Sequence, residues 1–528
     1  MSATNQLFTI LEASQWASKR FNRKITPTNI SYLIQYGHSR KTNDNGSAKV
    51  YQEDLEKYFS YQNIIEKKWK KELGEDLNWH LSFDKVKEKE RTKHVHRLHP
   101  YKGKFIPQLV EYFLDTKTDN FKTEVFFQPG DIVLDPFCGS GTTLVQANEL
   151  GIHAIGIDIS HFNSLISNVK VGKHNIFRMQ KEIKRISQEL AKFVAENKWS
   201  NFENELLDEM KIFNDKYFPV PGYRFKVRNK EINHVKYGLE KEKEFQPIFN
   251  KLVEKYNIQI EQQTNDDSFL STWYLPVTVP YIDWVNSLVD EIEDQDTREV
   301  IQIILSRTIR SCRATTHADL ATLLNIVKAP YYCRKHYKIC KPLFSMHSWW
   351  ERYSQDTINR IIKFNTIRTN TFQKCLVGDS RKIELFSSLK KVDIEFSKLA
   401  EGVKIRGIFS SPPYLGLINY HEQHAYAYDL YGFDRKDKLE IGPLFKGKGL
   451  TARESYVDGV SEVLVNSLKY LVDDFDIFLV ANDKFGLYPK IAGRSGLQIV
   501  REYKRPVLNR TEKDKSAYSE IIFHMKKA

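Results

Sequence analysis

The first 60 residues show the hydrophobic spacing of a small, mainly helical unit. Thr9 and Glu12 have the spacing of a capping box. The apolar positions that follow with helical periodicity are Ala13, Trp16, Ala17 and Phe21. Thr26-Pro27, a capping residue followed by proline, predicts the start of a second helix, and Gly37 predicts its end.

A strand and a third helix complete this unit. The apolar face of the second helix is expected at Ile30, Leu33 and Ile34. Residues 48–51 are predicted to form a short strand, and residues 53–59 are predicted to form the last helix. We therefore expect a separate domain at residues 1–62.

From about residue 99 the pattern changes to that of an α/β protein. A buried strand at 132–134, a helix at 142–150 and a strand at 153–157 that ends in Asp158 form one βαβ unit. Further apolar strands are predicted at 375–377, 407–409, 477–480, 498–503 and 520–525. The pattern predicts one parallel sheet that is interrupted by an insertion of roughly 200 residues.

These patterns divide the chain into five parts. Residues 63–98 are charge-dense, with the run Lys67-Lys68-Trp69-Lys70-Lys71, and are expected to form a charged helical connector with a solvated face. Residues 99–170 and 371–528 form the two parts of the α/β core. Residues 171–370 form the mainly helical insertion.

Composition places the chain among globular proteins with an anionic partner. The 528 residues are 41% hydrophobic and contain no apolar stretch long enough to cross a membrane. The net charge of +13 and the pI near 9.1 favour nucleic acid as the partner. Five scattered cysteines and the absence of a signal-like N-terminus favour a reducing cytoplasm.

The first chemical motif is a glycine-rich turn between a strand and a helix. The sequence Asp135-Pro136-Phe137-Cys138-Gly139-Ser140-Gly141-Thr142-Thr143 combines glycines, which permit close backbone approach, with the N–H groups of a helix N-terminus. Asp158 ends the next strand, where an α/β nucleotide fold places a carboxylate on ribose hydroxyls. The combination predicts a nucleotide-type cofactor.

The second motif is Ser411-Pro412-Pro413-Tyr414, directly after the strand at 407–409. Two prolines lack N–H donors and fix a rigid turn at the carboxyl end of the strand. Such a turn presents carbonyl oxygens, a hydroxyl and an aromatic ring. It is suited to a flat ring that carries an amino group.

Together the two motifs resemble the bacterial DNA amino-methyltransferases of restriction-modification systems. The family combines a D-P-F-x-G-S-G-T-T cofactor turn with an [S/D/N]-P-P-Y catalytic loop. The resemblance implies a Rossmann-like fold, S-adenosylmethionine as the cofactor and double-stranded DNA as the substrate. It covers residues 99–170 and 371–528.

The resemblance also assigns roles to particular residues. The segment His99–Pro107, with Lys104 and Phe105, resembles the part that covers the methionine end of the cofactor, and Gly378-Asp379-Ser380 resembles the part that holds the adenine. The expected cofactor-binding residues are Lys104, Phe105, Asp135, Phe137, Gly139, Gly141, Thr142, Asp158 and Asp379. The expected catalytic residues, which hold the target base, are Ser411, Pro412, Pro413 and Tyr414.

The catalytic loop also indicates which atom is methylated. Methylation of cytosine C5 requires a cysteine nucleophile in this loop, and residues 408–420 contain none. Hydrogen bonds from an exocyclic amine to Ser411 and the Pro412 carbonyl would free its conjugated lone pair, once the base has left the stack. In the family, serine at the first position favours cytosine N4, with adenine N6 as the alternative.

The N-terminal unit resembles winged helix-turn-helix domains of the MerR and excisionase type. In those domains the second helix enters the major groove. The residues that this helix would present to DNA are Thr28, Asn29, Ser31, Tyr32 and Gln35. The alternative is a helical dimerisation or docking module.

The insertion leaves several alternatives open. It is either the target-recognition region or a helical scaffold. The polar cluster Arg310, Arg313, Thr315, Thr316 and His317 either caps the preceding helix or reaches DNA or the catalytic pocket. Near the C-terminus, a loop is either solvated or contacts phosphate through Arg501, Lys504, Arg505, Arg510, Lys513 and Lys515.

A metal site is not expected. Cys333, His336 and Cys340 would require His347 or Cys312 as a fourth ligand, and their spacing is not that of a paired CxxC knuckle. Buried cysteines beside a surface histidine are the simpler interpretation.

Two other functions compete with DNA modification. An RNA or tRNA base-amine methyltransferase shares the two motifs but usually carries a different RNA-binding front end. A non-catalytic DNA-binding regulator would carry a degenerate cofactor domain. If the chain is a modification enzyme, a cognate restriction endonuclease acts on the same DNA, and no stable complex is implied.

Overall fold

The N-terminal unit combines three helices with a small antiparallel sheet. The computed structural model describes residues 6–22, 24–44, 47–84, 86–195, 198–260, 268–317, 323–342, 346–508 and 516–528. The unit contains β1 (Leu7–Thr9), α1 (Ile10–Arg20), α2 (Pro27–Gln35), β2 (Lys41–Asp44), β3 (Ser47–Tyr51) and α3 (Gln52–Leu73). The sheet order is β1-β3-β2. Both predicted helix starts are confirmed, because Thr9 and Thr26 form capping boxes with Glu12 and Asn29.

The third helix is longer than the sequence pattern predicts. We expected a helix at 53–59 and a domain boundary at 62, but α3 continues to Leu73 and ends at Gly74. No glycine or proline interrupts residues 52–73, so nothing stops the helix earlier. The connector is also partly buried, since Trp69 packs edge-on against Trp79 at a centroid distance of 6.0 Å.

The remaining elements alternate between strands and helices. The strands are β4 (Ile132–Asp135), β5 (His153–Asp158), β6 (Tyr331–Cys333), β7 (Lys338–Cys340), β8 (Gln373–Val377), β9 (Ile405–Ser410), β10 (Leu471–Ala481), β11 (Leu497–Pro506) and β12 (Ser519–Lys527). The helices up to the end of the insertion are α4 (Glu88–Arg91), α5 (Pro107–Leu114), α6 (Thr142–Glu149), α7 (His161–Val171), α8 (Ile176–Ala195), α9 (Trp199–Tyr217), α10 (Gly222–Arg228), α11 (His234–Tyr256), α12 (Phe269–Trp273), α13 (Val279–Asp290), α14 (Gln295–Ser311) and α15 (Met346–Asn365). The later helices are α16 (Leu385–Val392), α17 (Ile394–Val403), α18 (Tyr420–Gln423), α19 (Ala425–Tyr431), α20 (Leu450–Leu468) and α21 (Tyr488–Arg494).

One large sheet organises the core. Its order is β11-β12-β10-β9-β4-β5-β8. The predicted parallel sheet is correct for β4, β5, β8, β9 and β10, but β12 is antiparallel to both of its neighbours. Apolar periodicity predicts that a segment forms a strand but not the direction in which the strand runs, so the sequence pattern could not identify β12 as antiparallel.

Helices cover both faces of this sheet. Alternate residues of the central strands enter different cores: Val133 and Phe409 pack under α5, α6 and α7, whereas Leu134 and Ile408 pack under α16, α17 and α20. Strands buried on both faces are typical of α/β proteins. The chain therefore has a mixed sheet covered by helices on both faces, as the Rossmann-like expectation requires.

The insertion between α7 and β8 has two structural parts. The helices α8, α13, α14 and α15 extend the core on the α7 side of the sheet. The helices α9, α10 and α11 and the hairpin β6-β7 form a lobe with its own core, centred on Phe202, Phe245 and Ile339. We call this part the insertion lobe. Within the described residues, no helix is both long and apolar enough to cross a membrane.

Candidate active site

The two sequence motifs meet at one edge of the large sheet. β4 and β9 are parallel neighbours, and the glycine-rich turn and the double-proline loop follow their carboxyl ends. The Ser410 hydroxyl donates a hydrogen bond of 2.5 Å to Asp135 Oδ1. A cavity of about 900 Å³, including its open mouth, is lined by Gly139 from one motif and by Ser411 and Pro413 from the other. We call it the cofactor cavity.

The glycine-rich turn brings backbone N–H groups to this cavity. Gly139 has a φ of +52°, and a side chain there would place its Cβ 2.9 Å from the Tyr101 hydroxyl. The Gly139 N–H donates a 2.8 Å hydrogen bond to Asp158 Oδ2. The turn is thereby fixed to the end of β5, and α6 begins directly after it.

Asp158 is held in one orientation at the cavity wall. Its Oδ1 accepts hydrogen bonds from the Ser160 N–H at 2.8 Å and from Asn163 Nδ2 at 3.1 Å. Burial raises the pKa of Asp158 to about 6, although these hydrogen bonds favour the carboxylate. A fixed carboxylate at this position accepts hydrogen bonds from ligand hydroxyls.

Most residues predicted for the cofactor line this cavity, but two do not. The predicted residues in its wall are Lys104, Phe105, Phe137, Gly139, Thr142, Asp158 and Asp379. Asp135 is buried behind the wall, where it accepts hydrogen bonds from Ser410 and from the Phe137 N–H. Gly141 has a φ of +71° and packs against Ser167, 2.9 Å from the position that a Cβ would occupy. Both residues shape the turn from behind.

Asp379 lies in the wall of the cavity, shortly after the end of β8. Arg381 forms a bidentate pair with it, with Nε–Oδ1 and Nη2–Oδ2 distances of 2.8 and 2.7 Å. Burial by itself would raise the pKa of Asp379, but the hydrogen bonds and charge of Arg381 lower it overall. Asp379 is therefore still ionised at the pH at which Asp158 begins to protonate.

Several residues of the cavity wall were not predicted from the sequence. The structure adds Tyr101, Asn163, Tyr420, His421 and Glu440 to the wall. Glu440 accepts hydrogen bonds from the His421 N–H at 2.8 Å and from its ring. Tyr101 lies inside the recognised segment His99–Pro107, whereas the segments around 420 and 440 carry no local pattern that identifies them.

The double-proline loop also contributes to a second cavity. Pro412 is buried, while Tyr414 and Leu415 line a cavity that is also formed by Lys448, Tyr456, Lys484 and Tyr518. We call it the second cavity. The Tyr414 hydroxyl donates a 2.6 Å hydrogen bond to Glu520 Oε1, and burial raises the pKa of this phenol. The tyrosine ring is thus fixed in orientation between the loop and β12.

The five residues predicted to read DNA lie on α2 and are exposed: Thr28, Asn29, Ser31, Tyr32 and Gln35. Asn29 also caps its own helix, since its Oδ1 accepts 2.9 Å hydrogen bonds from the N–H and hydroxyl of Thr26. The C-terminal end of α2 contacts the insertion lobe. Arg224 donates to the Gln35 carbonyl at 3.1 Å, and Arg228 donates to the Tyr36 carbonyl.

The structure shows the role of some residues in the two polar clusters that the sequence left open. In the cluster after α14, Arg313 is buried and its Nε donates a 3.0 Å hydrogen bond to the Arg310 carbonyl, so it caps the helix end. In the C-terminal cluster, Arg505 is buried beside Glu520, and Lys504 contacts Asp76 at 3.3 Å. Arg510, Lys513 and Lys515 lie outside the described residues.

Comparison with known proteins finds relatives along the whole chain. The DNA methylase family matches residues 12–169. Type II methyltransferase M.MjaII of Methanocaldococcus jannaschii is 44% identical over 528 residues, which cover 99% of this chain and 97% of that protein. Type II methyltransferase M.MvaI of Kocuria varians is 36% identical over 109 residues, 21% of this chain and 22% of that protein.

A tRNA enzyme shares a shorter segment. The tRNA (guanine(10)-N2)-dimethyltransferase of Methanocaldococcus jannaschii is 38% identical over 77 residues, 15% of this chain and 20% of that protein. Similarity to a type II methyltransferase therefore extends over nearly the whole chain, whereas similarity to this tRNA enzyme is confined to one part.

Proposed function

Because the chain belongs to the type II DNA methyltransferases, we propose that it methylates the exocyclic N4 amine of cytosine in double-stranded DNA. Membership of this family makes the chain an S-adenosylmethionine-dependent DNA amino-methyltransferase. The choice of cytosine N4, with adenine N6 as the alternative, is our proposal. It rests on one observation above all: Ser411 begins a rigid loop that lines the same cavity as the Gly139 turn.

The residues of the cofactor cavity suit S-adenosylmethionine. Among the described residues, Ser140 Oγ, Asn163 Oδ1 and His421 Nε2 are buried without a hydrogen-bond partner, and all three residues line the cavity. Buried polar atoms usually find a partner, so these atoms indicate a polar ligand. We assign Asp158 to the ribose hydroxyls, Asp379 to the adenine side, and the segment with Lys104 and Phe105 to the methionine end.

The chemistry on the substrate side is carried by the loop. When bound, the cofactor supplies an activated methyl group, so no covalent enzyme intermediate is needed. Ser411 and the Pro412 carbonyl accept hydrogen bonds from the amine, which localises its lone pair and orients it for in-line attack. We assign the second cavity to the flipped base, which stacks on Tyr414. The hydrogen bond to Glu520 holds this ring ready for stacking.

The choice between the two amines depends on the first residue of the loop. A serine hydroxyl is small, and it accepts a hydrogen bond without adding a carboxylate to a cavity wall that already holds Asp158. The resemblance associates serine at this position with cytosine N4 and aspartate or asparagine with adenine N6. Ser411 therefore favours N4.

We also propose that the N-terminal unit reads DNA as a winged helix-turn-helix. The order of two helices, an antiparallel hairpin and a third helix supports this proposal. The exposed hydrogen-bonding residues of α2 support it further, because such side chains bind phosphates and base edges. If the N-terminal unit were instead a dimerisation or docking module, a partner would have to cover this face of α2.

The proposal is tested by identifying the modified base. DNA is methylated with the purified full-length chain and labelled cofactor, digested to nucleosides and analysed by mass spectrometry. We expect N4-methylcytosine in duplex DNA and no label in tRNA. N6-methyladenine would replace the proposed target, and label in tRNA alone would contradict DNA modification.

A loop variant tests the assigned residues. Ser411→Ala should lower kcat by roughly 10²–10³-fold, the usual effect of losing one polar contact to the reacting group. Cofactor affinity should change little. Ser387→Ala, at an exposed serine of α16, is the matched control and should retain full activity. If Ser411→Ala retained full activity, the catalytic role that we assign to the loop would be wrong.

A further inference from the structure

The insertion lobe gathers four soft side chains at one point. Cys333 ends β6, His336 lies in the hairpin turn and Cys340 ends β7. His317, which follows α14, joins them from a distant part of the sequence. The ligand atoms of these four residues all lie within 4.8 Å of one another.

The spacing of these atoms fits a tetrahedral metal site. Zinc bonds of about 2.3 Å to sulfur and 2.0–2.1 Å to nitrogen place neighbouring ligand atoms roughly 3.3–3.8 Å apart in a tetrahedron. The distance from Cys340 Sγ to His336 Nδ1 is 3.5 Å. The Cys333 sulfur lies within 4.8 Å of the ligand atoms of Cys340, His317 and His336. All four side chains therefore point to one common centre.

The backbone and a neighbouring tyrosine hold the ligands in place. The turn is tight, because the N–H groups of His336 and Tyr337 donate to the Cys333 carbonyl at 3.2 and 2.7 Å. The Tyr331 hydroxyl lies 2.7 Å from His317 Nδ1 and accepts a 2.7 Å hydrogen bond from the His317 N–H. This contact leaves Nε2 of His317 for a metal, and such a second partner commonly orients a ligating histidine.

We propose that His317, Cys333, His336 and Cys340 bind a structural zinc ion. Two thiolates and two imidazoles suit zinc, and four protein ligands leave no open position for catalysis. This site was not expected from the sequence, where His317 was placed in a polar cluster and His347 or Cys312 was considered as the fourth ligand. In the structure His347 pairs with Glu351 at 3.4 Å.

The position of the site explains what the ion does. Asn214 of α9 bonds to both the N–H and the carbonyl of Ile339, at 2.9 and 3.0 Å, so the hairpin is attached to the insertion lobe. His317 lies six residues beyond the end of α14, and Ala314 in the segment between them already packs in the core of the insertion lobe. The zinc ion therefore fixes the segment that follows α14 to the β6-β7 hairpin of the insertion lobe.

Metal analysis of the purified full-length chain tests the proposal. We expect about one zinc ion per chain, and cobalt substitution should give the intense visible bands of a tetrahedral site with thiolate ligands. Cys333→Ser and His317→Gln should each lose most of the metal. Cys375→Ala and His347→Gln change a cysteine and a histidine outside the cluster and should retain it.

Thermal unfolding adds a readout that does not depend on the variants. Strong chelators should lower the midpoint of thermal unfolding of the unaltered protein, and zinc should restore it. A chain purified from zinc-supplemented cells that holds no zinc and gives no cobalt spectrum would overturn the proposal. So would a disulfide between Cys333 and Cys340 in freshly purified protein.

Discussion

Two buried aspartates at the ends of neighbouring strands have different roles. Asp135 and Asp158 are the last residues of β4 and β5, and burial raises the pKa of each to about 6. Asp135 binds Ser410 and joins the two motif-bearing strands, whereas Asp158 faces the cofactor cavity. Sequence position alone does not separate these roles, because both residues end a strand of the same βαβ unit.

We expect cofactor binding to weaken as the pH falls through about 6. The ionised form of Asp158 accepts stronger hydrogen bonds from ribose hydroxyls than the protonated form, and its raised pKa means that it protonates near pH 6 rather than near its ordinary value. Hydrogen bonds to a charged group contribute about 1.5–3 kcal/mol, so protonation removes most of this contribution. With a pKa of about 6, roughly one Asp158 in ten stays ionised at pH 5, so the Kd for S-adenosylmethionine should rise by up to about tenfold from pH 8 to pH 5. Calorimetric titration across this range measures it.

Two variants separate Asp158 from other groups that titrate. Asp158→Asn should bind S-adenosylmethionine weakly at every pH, and its Kd should show no inflection near pH 6. Asp379→Asn should also bind weakly but should retain the inflection, because Arg381 keeps the pKa of Asp379 low. A persistent inflection in Asp158→Asn would assign the titration to another residue, with Asp135 as the first candidate.

At the scale of elements, short-range patterns predicted the strands and turns that carry the chemistry. Each motif follows an apolar strand, and a glycine or proline at a fixed offset defines its turn. The predictions failed where an element depends on distant contacts. The length of α3, the direction of β12 and the entry of His421 and Glu440 into the cavity all depend on packing between segments far apart in the chain.

The N-terminus of α6 requires glycine at position 141. Gly141→Ala should destabilise the protein more than Gly432→Ala, although both glycines have positive φ, +71° and +63°. The left-handed backbone costs a non-glycine residue roughly 1–2 kcal/mol at either site. At Gly141 alone, a Cβ would also lie 2.9 Å from Ser167 Oγ and 3.1 Å from its Cα, whereas nothing lies within 4 Å at Gly432.

The crowding at Gly141 should appear in two measurements. Overpacking typically costs a further 1–3 kcal/mol or so, which should lower the midpoint of thermal unfolding below that of Gly432→Ala. Cofactor affinity should fall in Gly141→Ala only, because α6 begins at this residue beside the cavity. Equal midpoints for the two variants would show that Ser167 yields without cost.

At the scale of the whole molecule, the N-terminal unit is packed against the insertion lobe. A Cβ at Gly37 would lie 2.9 Å from the backbone of Arg224, and Arg224 also lies over the Tyr36 ring at 5.2 Å. The contact fixes the end of α2 while its predicted DNA-reading face stays exposed. Such an arrangement could not be predicted from the sequence, since α2 and α10 are separated by almost 190 residues and share no pattern.

Negative charge introduced on the exposed face of α2 tests whether this helix contacts DNA. We expect the double variant Ser31→Glu and Gln35→Glu to raise the Kd for duplex DNA at least about tenfold, because carboxylates placed against phosphates repel them. Fluorescence anisotropy at several salt concentrations measures the change, and the difference should shrink as salt screens it. Cofactor affinity should be unchanged, since neither residue lines the cofactor cavity.

Ser387→Glu, at an exposed position on α16, controls for added negative charge alone. If both proteins bind DNA as the unaltered chain does, α2 is a docking element and the large domain alone holds the duplex.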